Sequence, residues 1–102
     1  MNNIESKVEH LFYEKNICVN CTDRPWYNNA WGSPVTVYGI EVHKSDAETV
    51  ISELTRLNID FIVREAKFVN TKGYWTHKSF KFLEIPNHEK AYSTILEGCG
   101  SA

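Results

Sequence analysis

A β run at residues 35–43 passes directly into a capped amphipathic helix at residues 45–57, and a second β run follows. In the first run Tyr38, Ile40 and Val42 alternate with Gly39, Glu41 and His43, the period of a half-buried strand. In the helix, Ser45 and Glu48 have the spacing of a capping box. Ala47, Val50, Ile51, Leu54 and Leu57 recur at helical spacing and make one apolar stripe. Asn58 tolerates the left-handed conformation and is a natural stop. A strand that runs straight into a helix and is followed by another strand excludes all-α and all-β folds. It calls for a sheet with a helix packed on it.

The flanking segments extend this pattern. Residues 59–69 are rich in β-branched and aromatic side chains, residues 70–73 read as a turn, and residues 74–85 read as a strand ended by Pro86. Asn87 is placed to cap a last helix, residues 88–97, with Ala91, Ile95 and Leu96 inward and Gly98 as its stop. At the N-terminus, a helix capped by Asn3 presents Ile4, Val8, Leu11 and Phe12 on one face and ends at Asn16. A short strand, residues 17–21, follows. The order is α-β-β-α-β-β-α. Residues 35–97 supply five of the six elements of a split βαβ unit, and strand 17–21, laid beside 35–43, supplies the sixth. The expected fold is therefore α+β: a permuted ferredoxin-like two-layer sandwich, its antiparallel sheet covered by helices on one face. A length of 102 residues fits one domain, 1–102.

Composition narrows the function. A hydrophobic share of 42% rules out disorder. A net charge of −2 argues against a dedicated DNA binder, whose affinity comes from neutralising phosphates. It leaves room for a small basic patch. No apolar run approaches the ~18–20 residues that span a bilayer, and the first residues lack the pattern of a signal peptide. We expect a cytoplasmic protein with reduced cysteines and no membrane partner.

Two surfaces stand out. Residues 22–34 read as a long loop holding Arg24, Trp26, Tyr27 and Trp31, and compact domains rarely keep such loops without a reason. Its aromatic rings either plug the open end of the core or form a binding surface, since Trp, Tyr and Arg dominate binding hot spots. The second surface is one face of the sheet. If Tyr38, Ile40, Val42, Phe61, Val63, Phe80 and Phe82 point to the helices, the opposite face carries Glu41, His43, Arg64, Trp75, His77, Ser79 and Lys81. Such a face is either plainly solvated, or an anion or nucleotide site, or an RNA platform built on Arg64, Trp75 and Lys81.

His43-Lys44-Ser45 and His77-Lys78-Ser79 are two copies of His-x-Ser. Paired tripeptides of this kind resemble the 2H phosphoesterases. The resemblance covers those two tripeptides and implies that His43 and His77, with Ser79, act on a phosphodiester as acid and base. Cys18 and Cys21 have Cys-x-x-Cys spacing, with Cys99 as the third cysteine. On a strand, however, residues three apart point to opposite faces, and no second ligand pair accompanies them. No metal and no cofactor is expected. Phosphate-binding glycine loops, nucleophile elbows and helical zinc motifs are missing from the sequence.

The resulting expectation is a small non-catalytic binding or regulatory protein. It would recognise a macromolecular partner, protein rather than RNA or nucleotide, through the loop and the adjoining sheet edge. A phage-type inhibitor of a host enzyme fits that description. The alternatives are a phosphodiester-cleaving enzyme using His43 and His77, and an RNA-binding sheet.

Overall fold

The computed structural model describes residues 4–26, 35–64 and 79–100. The elements are α1 (Ile4–Tyr13), β1 (Val19–Trp26), β2 (Val35–His43), α2 (Lys44–Arg56), β3 (Ile62–Arg64), β4 (Phe80–Glu84) and α3 (His88–Gly100).

Two helices end in the same way. Asn16 and Asn58 both have positive φ, 66° and 61°. After α1, Ile17 N–H donates to Phe12 O and Asn16 N–H to Tyr13 O. After α2, Ile59 N–H donates to Leu54 O and Asn58 N–H to Thr55 O. This is the Schellman pattern, with Asn in the place usually held by Gly. Its hydrophobic clasp is present in both copies, because Phe12, Ile17, Leu54 and Ile59 all belong to the main core cluster.

The start of α2 differs from the sequence expectation. The helix begins at Lys44, and the N-cap is His43, whose Nδ1 accepts from Ser45 N–H at 3.1 Å. An imidazole nitrogen acting as acceptor takes over the capping work expected of Ser45. At the other end of the chain, α3 runs through Gly98 to Gly100 instead of stopping at Gly98. A Cβ at Gly98 would collide with Cδ2 of Leu57, so this glycine permits a close approach between α3 and the end of α2.

The four strands form an antiparallel sheet of order β1-β2-β4-β3. β1 is longer than the strand read from the sequence. It continues through Arg24 and Pro25 to Trp26, which pairs with Val35. Pro25 is tolerated because β1 is an edge strand, where a missing N–H breaks no ladder. The connection between β1 and β2 is therefore 27–34, shorter than the loop expected at 22–34.

Val8 and Phe12 of α1, Ala47, Val50 and Leu54 of α2, and Ala91, Tyr92 and Ile95 of α3 share one buried cluster with Cys21, Ile40, Val42 and Leu83 of the sheet. The side of the sheet carrying these strand residues is the core face; the other is the far face. Among the described residues no helix is long and apolar enough to cross a membrane.

Candidate functional site

The register fixes which residues share the far face. Along one cross-strand row lie Asn20, Glu41, Phe82 and Arg64; along the next lie Thr22, Gly39, Glu84 and Ile62. Arg24 with Val37 and His43 with Phe80 continue the same face at either end. Their neighbours one position along, Cys21, Ile40 and Leu83, point into the core.

This arrangement corrects the expected face of β4. Phe80 and Phe82 lie on the far face, and Lys81 lies in the core-face row beside Val42 and Val19. The reason is the second half of the strand. Leu83 and Ile85 are at most 1% exposed. The opposite phase would turn Glu84 inward and send Leu83 and Ile85 outward. Because the side-chain period is two, that choice moves both phenylalanines and Lys81 together. The far face is also not a simple wet surface. Phe82 is 0% exposed and clusters with Val37.

Two ion pairs lie diagonally across this face. On the β1 side, Arg24 Nη2 donates to Glu41 Oε1 at 3.1 Å; on the β3 side, Arg64 Nη2 and Nε both reach Glu84 Oε1, at 2.7 and 2.9 Å. The two carboxylate side chains are only 13% and 16% exposed, so these pairs are screened less than surface pairs. Arg24 also donates from Nη1 to Asp23 O at 3.2 Å and to Thr22 Oγ1 at 3.4 Å. Its Nε is buried without a hydrogen-bond partner among the described residues.

At the end of the sheet where β2 meets α2, the His43 ring packs edge-on against Phe80, centroids 5.4 Å apart. Its Nδ1 is 2.8 Å from Ser45 Oγ and accepts from Ser45 N–H. The backbone carbonyl of Ser79 accepts from Lys44 N–H, tying β4 to the start of α2. β2 and β4 are neighbours. His77, together with Trp75, Tyr27 and Trp31, lies outside the described residues. Trp26 is placed by its strand register alone.

Of the binding candidates, the structure brings Arg24 and Arg64 to one face and moves Lys81 off it. Glu84, Ile62 and the two phenylalanines are far-face residues that the sequence reading missed. The alternation of residues 83–85 carries a signal for the phenylalanines and Glu84. The pairing of Arg64 with Glu84 has none, because it depends on cross-strand register.

β1 begins at Val19, so of the two cysteines expected on one strand only Cys21 is a strand residue, and Cys18 precedes it. Cys18 is exposed and Cys21 buried. Burial, then the nearby Glu9 carboxylate, pushes the Cys21 thiol up to about 12. Glu9 accepts the Cys21 N–H at 2.8 Å. Burial and the neighbouring Cys21 raise the Tyr92 hydroxyl well above the usual phenol range, and that hydroxyl donates to Gly39 O at 3.2 Å. Among the described residues no group of three His, Cys, Asp or Glu side chains is placed to hold a metal ion.

No family model matches the chain, and neither a curated protein nor a solved structure is significantly similar to it.

Proposed function

We propose that the chain is a non-catalytic recognition module of one domain, on a permuted ferredoxin-like frame, that binds a protein partner through the far face of its sheet. The frame is supported by the strand order. β2 and β4 are central, and β1 stands where the last strand of a split βαβ unit would lie. The single cluster shared by the three helices and the core face supports helices on one side.

One observation carries the functional reading: among the described residues, the far face is charge-balanced and partly apolar. Both of its guanidinium groups are paired with carboxylates. Between and beside them Ile62 and Phe80 are 43% and 36% exposed. A phosphate-binding surface needs cations available for phosphates, and a stacking platform needs open rings. Here the guanidiniums are neutralised and Phe82 is closed off. Aromatic, aliphatic and Arg side chains at the centre with polar groups around them are the make-up of a protein interface.

The test is a photo-reactive side chain placed at Ile62 or Phe80, and at Glu48 on the exposed side of α2, followed by cross-linking in the native cell. A protein adduct from the first two positions, absent from Glu48 and suppressed by Arg24→Glu, is the expected result. Adducts to RNA alone, or equal adducts from all three positions, would sink the reading. Hydrolysis of a phosphodiester lost in His43→Ala would replace it with the enzymatic alternative.

A further inference from the structure

A second site lies away from the far face, at the end of the molecule where α2 stops and α3 starts. A cleft of about 260 Å³ opens there. Its floor is apolar: Ile59, Ile85 and Ala91 line it and are themselves at most 8% exposed. Its rim is polar and carries opposite charges. Asp60, on the segment leading into β3, Lys90, in the first turn of α3, and Asn58, held at φ 61° by the end of α2, all line it.

Among the described residues, neither the Asp60 nor the Lys90 side chain makes an ion pair or a hydrogen bond. Two residues of opposite charge that line one small cleft, yet are not paired with each other, leave complementary positions for a ligand with both charges. The first-turn N–H groups of α3 add positive potential on the Lys90 side, where a carboxylate is favoured. The volume is below the ~300–1,000 Å³ of clefts that take drug-sized molecules. It suits a ligand the size of one amino acid.

We propose that this cleft binds a small aliphatic zwitterion, a free amino acid with an apolar side chain. The ligand's carboxylate meets Lys90 and the start of α3, its ammonium meets Asp60, and its side chain covers Ile59, Ile85 and Ala91. Nothing in this assignment depends on how the far face is used.

The experiment is an amide-resolved NMR titration of the full chain with L-leucine, 4-methylpentanoate and isoamylamine, the last two being leucine without its ammonium and leucine without its carboxylate. L-leucine is expected to give saturable shifts at Ile59, Asp60, Lys90 and Ala91. Each single-charge analogue should bind at least ~10-fold more weakly, the scale of one lost charge-assisted hydrogen bond. Lys90→Gln and Asp60→Asn should each weaken leucine binding ~10-fold while the rest of the spectrum keeps its native dispersion. Three results would overturn the assignment. One is the lack of a saturable shift up to ~10 mM, the weak limit for a ligand this small. Another is saturable binding that neither variant weakens. The third is 4-methylpentanoate binding as tightly as leucine, which would make the cleft an anion site.

Discussion

Arg24 and Glu41 show how a half-buried pair differs from a surface one. An exposed pair is worth at most about 1 kcal/mol because water and salt compete for both partners. Here the Glu41 side chain is only 13% exposed, so removing Arg24 strands a carboxylate with little water to replace its partner. Arg24→Met should therefore cost about 1–3 kcal/mol in urea melts. Arg24→Met with Glu41→Gln should cost less than the sum of the two single changes. Strict additivity would show that the pair is not coupled. Cys21 makes a second residue-scale prediction, this time with pH. Its folded value of about 12 lies above the ordinary 9.0, so folding favours the neutral thiol. That contribution is complete below pH 9.0 and is lost as pH rises toward about 12. Stability should fall across that window, and Cys21→Ala should flatten the fall without abolishing it, because Tyr92 is shifted in the same direction. In native protein at neutral pH, peptide mapping after iodoacetamide should find Cys18 alkylated and Cys21 intact, with both labelled in denaturant.

The helices were the most legible elements, because their signals are local. The stripe at Ala47, Val50 and Leu54 and the asparagine stops can be read within a few residues, and each is buried or positive in φ as the pattern requires. The strands were less legible because their faces depend on partners far along the chain. Residues 80–82 alone suggest phenylalanines inward; residues 83–85 overrule them. Asp23 and Pro25 look like loop residues until β1 proves to be an edge. Gly98 reads as a stop until Leu57 is found packed against it. Arg24 was singled out as a loop residue, yet it sits on a strand, and its partner Glu41 could not be named without the register. The clearest local device, the end of α2, gives a sharp prediction. Asn58→Gly should hold or raise stability by up to about 1 kcal/mol, since glycine adopts positive φ without steric cost. Asn58→Val should lower it by about 1–2 kcal/mol, because a β-branched side chain resists that conformation. Thermal melts that rank Val equal to Gly would mean the left-handed cap does not persist in solution.

At the scale of the whole molecule, the sheet is buried on two sides at β4. Leu83 belongs to the large core shared by all three helices, whereas Phe82, its neighbour, closes a smaller cluster with Val37 on the far face. Both are 0% exposed. A two-layer sandwich with an open far face would make Leu83 essential and leave Phe82 nearly dispensable. Full burial of Phe82 predicts otherwise. Leu83→Ala should cost about 2–5 kcal/mol and Phe82→Ala about 3–5 kcal/mol, the usual range for core truncations. Against the roughly 5–15 kcal/mol total of a domain this size, either loss is large. The two variants should also melt with one transition, seen alike by far-UV and near-UV circular dichroism, because β4 joins both clusters in a single cooperative unit. If Phe82→Ala costs less than about 0.5 kcal/mol, the range of surface changes, the far face is open in solution. Phe82 would then be available beside Phe80, and stacking against a nucleic-acid base would regain the ground that its burial denies it.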